Sequence, residues 1–531
     1  MSAAAVPMAE PVAWRPAANP WLIAVTVSLA AFMEVLDTAI ANVALPHIAG
    51  NLGASNDQST WVLTSYLVAN AIVLPITGWL VSFFGRKRFF MTCMAIFTIS
   101  SLFCGIAPNL GFLLLFRVLQ GAGGGGLQPM AQAILADTFP PEKRGLAFSI
   151  YGITAVCAPA IGPTLGGWLT DTASWRWIFL INLPVGILAL LLVYRLVQDP
   201  PHMIRRKRSE TKLDYIGFSL LTLGVGALQI MLDKGQEDDW FGSHFITTLA
   251  IVALVCLTAL VVYEWFHDDP IVDVRLFKNA NFAAANLMMF MVGAISFATT
   301  VLMPQFLQTL MGYTAQSAGM VLSVAAVLLL VELPIVGRLI GQFQLRYLIA
   351  FGWFMLAIGM YISTQRIDLL LSFSSATWLR IYQYLPLGFV FVPATTAAYI
   401  GIRQDKSNAV AGLVNFTRNI GSSVGTSIVT TMIVRRSQYH QSVLTTGTGT
   451  GRFRDAVNGL AQQLMHAGLS ADSAMQQARA RIYGSLQAQA AALAYIDNYW
   501  LLGVAALIMF FLSFVLKKND PRGGRGPVSV H

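Results

Sequence analysis

The chain is 531 residues long, 56% hydrophobic and only 11% charged. Soluble domains carry about 25% charged residues, so the composition excludes an ordinary soluble enzyme, and long apolar runs without period-two alternation exclude a β-barrel. The net charge of +9 does not indicate a nucleic-acid partner, because the basic residues lie in short loops between apolar runs, where they set membrane topology.

Residues 1–19 are rich in Ala and Pro and read as a disordered cytosolic tail, since the first apolar run is too long for a signal-peptide core. Fourteen helical spans follow, at roughly 20–44, 59–82, 89–107, 110–136, 146–169, 177–197, 214–232, 245–264, 282–304, 317–340, 347–364, 376–400, 410–434 and 496–516. An even number places both termini on one side. The loops on that side collect Arg86-Lys87-Arg88, Lys143-Arg144, the run Arg205 to Arg208, Arg403 with Lys406, and Lys517-Lys518. The short loops opposite hold only Arg176, Lys234 and Arg366. The positive-inside rule therefore predicts cytosolic termini.

The first span holds Glu34 and Asp37, three residues apart and on one helix face. An acidic pair at membrane depth is costly and points to function. The second span ends Pro75-Ile-Thr-Gly78-Trp-Leu and the tenth Pro334-Ile-Val-Gly337-Arg-Leu, each followed by aromatic and basic residues. This repeat predicts two six-helix halves, 20–200 and 271–516, separated by a basic loop and two inserted helices over 201–270, with a cytosolic tail at 517–531. In the fourth span Arg117 lies about 10 Å from the outer end, matching the depth of Asp37 at about 6–13 Å, so the two are expected to pair, with Glu34 about one turn deeper. The following Gly121 to Gly126 run sits inside a span and suits close helix packing, not phosphate binding. In the fifth span Gly162 and Gly166 have the spacing that lets helices touch, and Pro163 bends the helix. Glu332 in the tenth span and Arg418 in the thirteenth are at similar depth and form a possible intramembrane pair, whereas Arg380 in the twelfth reads as a snorkelling side chain. The 435–495 loop is Gln- and Ala-rich and predicts two outer helices, with Ser470 and Ser473 as candidate caps. The four cysteines lie in apolar runs without metal-ligand spacing and read as small buried residues.

Several runs resemble signatures of one family. They are Leu36-Asp37-Thr38 through Pro46, Arg117-Val-Leu-Gln120-Gly121, Ala158-Pro-Ala-Ile-Gly162-Pro163-Thr-Leu-Gly166-Gly167, Trp175-Arg176-Trp177 with Asn182, and Asn415-Phe-Thr-Arg418-Asn419. In this order on these spans they resemble the fourteen-span drug:proton antiporters of the major facilitator superfamily, and within them the EmrB-type pumps. The loop Gly78 to Arg88, with Gly85 and Arg86, resembles the superfamily's gating motif, but Ser82 stands where the family has an acid. That substitution implies a weaker charge–dipole latch.

The resemblance implies an all-α polytopic fold in the bacterial inner membrane. Its implied activity is proton-driven export of lipophilic drugs or toxic compounds, with Asp37 of the first-span signature as the expected proton-coupling acid opposite Arg117; Glu34 lies outside that signature, and its position alone suits either an auxiliary proton site or a contact for cationic substrates. The Gly162–Gly167 run would bridge the halves and limit proton leak. The implied partners are small lipophilic substrates, membrane lipids, an EmrA-like periplasmic membrane-fusion adaptor and a TolC-like outer-membrane channel. The expected energy source is the proton gradient, with no cofactor: the sequence has no Gly-x-x-x-x-Gly-Lys-Ser/Thr run, no metal-ligand cluster and no nucleophile–base pair. The same fold could instead serve a dedicated carrier of one metabolite, which competition by unrelated compounds separates from a multidrug pump.

Overall fold

A computed structural model describes residues 16–199, 214–446 and 451–519. Most of the predicted N-terminal tail, the 201–213 loop and the end of the C-terminal tail lie outside the described residues. Helices α1 (Pro20–Leu52), α2 (Asn56–Phe84), α3 (Arg86–Gly105), α4 (Leu110–Gly124), α5 (Leu127–Thr138), α6 (Pro141–Thr172), α7 (Trp177–Leu180) and α8 (Asn182–Leu196) form the first half. The insert is α9 (Tyr215–Lys234) and α10 (His244–Phe266). The second half is α11 (Ala280–Thr309), α12 (Ala315–Leu339), α13 (Leu345–Arg366), α14 (Phe373–Tyr384), α15 (Pro386–Ala398), α16 (Ser407–Thr446), α17 (Gly451–His466) and α18 (Ala471–Leu512). No strand occurs among the described residues.

By length and apolarity eleven helices among the described residues can cross a membrane, or twelve if the bent α6 counts as one span. The expected twelfth and thirteenth spans correspond to α14–α15 and α16. Pro386 divides the former into two short helices, and Asn408, Asn415, Arg418 and Asn419 make the latter polar.

Local chemistry sets the helix ends. Ser55 and Gln58 close a reciprocal capping box at 3.1 Å. Asn109, Thr314 and Ser372 each accept from a backbone N–H in the first turn of α4, α12 and α14. Gly85 joins α2 to α3 at φ +81°, a left-handed conformation that favours glycine. The bend in α6 is 47° and falls between Pro159 and Ile161. It precedes Pro163 because a proline withdraws the hydrogen bond to the carbonyl four residues earlier, here that of Pro159.

The halves meet along α6–α12 and α2–α16. Cys157 Sγ lies 3.2 Å from the Ala326 carbonyl and Thr164 Oγ1 lies 3.1 Å from Ser323 Oγ. The glycines expected to bridge the halves do otherwise. A Cβ on Gly162 would come within 2.4 Å of Ala39 Cβ and one on Gly166 within 3.0 Å of Ile40, so both seat α6 on α1 within the first half, while Gly167 faces open space. Small residues are needed where two helices of one half cross closely, and it is Thr164 and Gly319 that touch across the halves.

The inserted α9 packs on both halves: Gln229 Nε2 donates to Ser423 Oγ at 2.7 Å, and Thr64 donates to Asp233. The 435–495 region also differs from expectation. Helix α16 runs 40 residues and α18 runs 42, about 60 Å each. The outer helices are therefore continuations of two spans, with α17 packed beside α18 through a separate cluster of Val457, Ala461, Leu464, Ala474 and Ala478. Ser470, not Ser473, caps α18, accepting from Ser473 N at 3.4 Å.

Candidate functional site

Asp37 points into the first half and is 1% exposed. Arg117 Nη1 donates to its Oδ2 at 2.7 Å. Gln120 Nε2 and Asn182 Nδ2 donate to its Oδ1 at 3.0 and 2.7 Å. Gln120 follows Arg117 by three residues, so α4 presents both on one face. Gln120 also accepts from Arg117 Nη1 at 2.8 Å and donates to Ser101 Oγ at 2.6 Å. Arg117 Nε is held by the Val62 carbonyl at 2.9 Å, and its guanidinium lies 4.3 Å from the Tyr66 ring. Burying this pair is tolerable only because nearly every polar atom is satisfied; Arg117 Nη2 alone has no partner among the described residues.

Glu34 is one turn deeper and has a different shell. Tyr66 OH and Asn70 Nδ2 donate to Oε1 at 2.9 and 3.0 Å, and Gln128 Nε2 donates to Oε2 at 2.5 Å. All three donors are neutral. Gln128 Oε1 in turn accepts from Arg418 Nη2 of the second half and lies 3.2 Å from Tyr151 Oη. Tyr151 OH donates to Asn415 Oδ1 at 2.8 Å, and Asn415 Nδ2 donates to Gln132 Oε1 at 2.7 Å. Glu34 is thus joined to α16 by a continuous polar chain across the two halves. A Cβ on Gly124 would reach Glu34 Cγ at 3.2 Å and Tyr66 Oη at 2.5 Å, so the glycine run lets α4 close against this shell.

Beside the chain lies a mid-molecule pocket walled by Val292, Phe297, Leu387 and Phe391, with Tyr384 and Arg418 on its polar side. Apolar walls with a few convergent polar groups are the usual character of a small-molecule site.

The structure separates Glu332 from Arg418. Arg418 turns to Gln128 instead, and neither carboxylate oxygen of Glu332 has a partner among the described residues; it abuts Gly388. Depth alone could not reveal that the two side chains leave their helices in different directions. Arg380 does not snorkel: it is fully buried and donates to Thr300 Oγ1 at 2.8 Å.

At the face carrying Arg86 and Lys406 (the basic face), Ser82 donates to the Trp79 carbonyl of its own helix at 2.7 Å. The two halves are joined at this face nonetheless. Arg86 Nη2 donates to Asp137 Oδ2 at 2.6 Å and to Asn408 Oδ1 at 3.1 Å, and Ser407 Oγ donates to Asp137 Oδ1 at 3.1 Å. A Cβ on Gly78 would meet Ala409 Cα at 2.9 Å. The acid that the motif lacks at Ser82 is supplied from α5 by Asp137, which sequence reasoning missed. Asn70 and Gln128 were missed too, although neutral amides inside apolar spans are a signal that could have found them; Gln120 was legible only as part of the fourth-span signature.

Residues 27–426 match the Major Facilitator Superfamily. The chain is 36% identical over 505 residues to the multidrug export protein EmrB of Escherichia coli strain K12, covering 95% of this chain and 97% of that protein. It is 41% identical over 424 residues to EmrB of Haemophilus influenzae, covering 80% and 82% of the two chains. It is 39% identical over 429 residues to the fatty acid resistance protein FarB of Neisseria gonorrhoeae, covering 80% and 83%. Among solved structures, a double-tryptophan variant of XylE superposes with a TM-score of 0.61 at 14% identity, covering 94% of this chain and 96% of XylE. The human organic anion transporter MFSD10 superposes with a TM-score of 0.58 at 12% identity, covering 93% and 100%. Both show the fold alone. The two halves joined across α6–α12 and α2–α16, the matched residues and the extent of identity make this chain a multi-pass membrane transporter of the major facilitator superfamily, of its EmrB type.

Proposed function

We propose that the chain is a proton-driven antiporter that exports lipophilic drugs or toxic compounds from the cytosol across the bacterial inner membrane, with its basic face and both termini cytosolic. The observation that carries this reading is the contrast between the two buried acids. Asp37 already has its counter-charge in Arg117 at 2.7 Å. Glu34 touches only neutral donors, so a proton is the counter-charge it can acquire.

A proton on Glu34 makes one carboxylate oxygen a donor, and the three donors now aimed at it no longer all find an acceptor. Gln128 is one of them, and Gln128 also holds Arg418 of the other half. Proton binding therefore changes a contact between the halves. A substrate in the adjoining pocket meets the same Arg418, so proton and substrate compete through one side chain. The halves rock about this site while the Arg86–Asp137–Asn408 latch closes the cytosolic side. One charge moving through ~150 mV, at about 2.3 kcal/mol per 100 mV, supports a gradient somewhat above a hundredfold at about 1.4 kcal/mol per tenfold.

The α17–α18 lobe on the far side is the surface for a periplasmic EmrA-like adaptor leading to a TolC-like outer-membrane channel. The relatives named as multidrug exporters support the substrate class. The direct test is efflux of a fluorescent lipophilic compound from cells, with and without an uncoupler. Glu34→Gln is predicted to reduce efflux to the uncoupled baseline at unchanged protein level; wild-type efflux from the variant would contradict the proposed coupling.

A further inference from the structure

The Asp37 cage has a counterpart in the second half that is complete except for its acid. Arg117 lies eight residues after the Asn109 cap of α4, and Arg380 lies eight residues after the Ser372 cap of α14. Each arginine is followed three residues later by a glutamine, Gln120 or Gln383. Each glutamine donates to a serine on the preceding span: Gln120 to Ser101 at 2.6 Å, Gln383 to Ser363 at 2.9 Å. Each guanidinium lies over a tyrosine ring, Tyr66 at 4.3 Å or Tyr384 at 4.1 Å. Asn182 on α8 and Asn498 on α18 are likewise both buried. The arginine, glutamine, serine and asparagine pairs each relate spans eight apart, as does the Pro75–Pro334 repeat, whereas the tyrosines do not: Tyr66 lies on α2 and Tyr384 on α14 itself.

The first helix of each half breaks the symmetry. Where α1 brings Asp37 to Arg117, α11 brings Thr300 to Arg380. A hydroxyl satisfies one guanidinium nitrogen but carries no charge. Arg380 is 0% exposed, and its Nε and Nη1 have no hydrogen-bond partner among the described residues. A buried cation without a counter-charge is among the costliest arrangements in a protein interior. Thr300 and Tyr384 also line the mid-molecule pocket, so this side chain stands directly behind the pocket wall.

We propose that Arg380, with Thr300, forms an anion site that takes a small monovalent anion in the position that Asp37 fills in the first half. Guanidinium N–H groups bind halide and carboxylate alike. The ligand is therefore a resident chloride ion or the carboxylate head of a molecule in the pocket, and the two sources are separable by experiment. The site is independent of proton coupling at Glu34 and Asp37, so the two proposals can fail separately.

The test is the thermal unfolding of the purified full-length protein in detergent, titrated with sodium chloride or sodium octanoate at ionic strength held constant with gluconate, whose carboxylate carries a polyhydroxylated chain too hydrophilic for the apolar pocket. The expected result is saturable stabilisation of the wild type. Stabilisation by chloride assigns a resident halide, and stabilisation by octanoate alone assigns a carboxylate head. Thr300→Asp supplies the missing acid: it should fold at least as stably as the wild type in gluconate and lose the anion response at least tenfold in midpoint concentration. Arg380→Gln should lose the response as well. A wild type indifferent to both anions, or a response that survives unchanged in Thr300→Asp, would overturn the proposal.

Discussion

Removing either partner of the Asp37–Arg117 contact leaves a charge buried at 0% side-chain exposure, which costs far more than the contact itself contributes. Arg117→Ala is predicted to lose about 3–5 kcal/mol of stability, read as a lowered Tm in detergent. The double variant Asp37→Asn with Arg117→Gln should recover part of that loss, because two neutral side chains leave no orphan charge, yet it should remain inactive in transport. An active double variant would reduce the pair to structural glue. The contact itself was legible in the sequence, since opposite charges at matching depth on two apolar spans have few other partners. The partners of Glu34 were not legible. They come from α2 and α5 and depend on how the Gly121–Gly126 run lets α4 and α5 approach, which is a packing result and not a spacing.

At the scale of the elements, the latch on the basic face is built from the ends of three helices, α3, α5 and α16. Ser82, where the family motif has an acid, bonds only its own helix. Ser82→Ala is therefore predicted to change stability by less than about 0.5 kcal/mol and to leave transport intact. Asp137→Asn leaves Arg86, itself 2% exposed, without its counter-charge. It should slow substrate export about tenfold or more, a loss of at least about 1.4 kcal/mol from the closed state. Parallel rate measurements on the two variants check both, and a stronger effect of Ser82→Ala would return the latch to its motif position. The sequence also placed the helices well but misjudged α16 and α18, because their apolar stretches end at the membrane surface while good helix formers carry each helix on into the outer lobe.

For the whole molecule, the lobe has an apolar cluster separate from those of the membrane body, so the body is expected to fold without α17. Replacing α17 by a short Gly-Ser linker between Thr446 and Ser470 should leave transport in proteoliposomes unchanged while abolishing drug resistance in cells, where the proposed adaptor docks. Loss of both would make the lobe part of the transport body. The two-half plan was readable from the Pro75 and Pro334 repeat, whereas the link between the halves was not: it runs through Gln128 and Arg418, whose contact only the folded chain creates. That link carries the central claim, that a proton on Glu34 drives the exchange. The most direct measurement imposes a pH gradient on proteoliposomes holding wild type or Glu34→Gln and follows accumulation of a lipophilic substrate. The variant is predicted to equilibrate substrate down its own gradient but not to accumulate it against one; accumulation at the wild-type level would contradict the account.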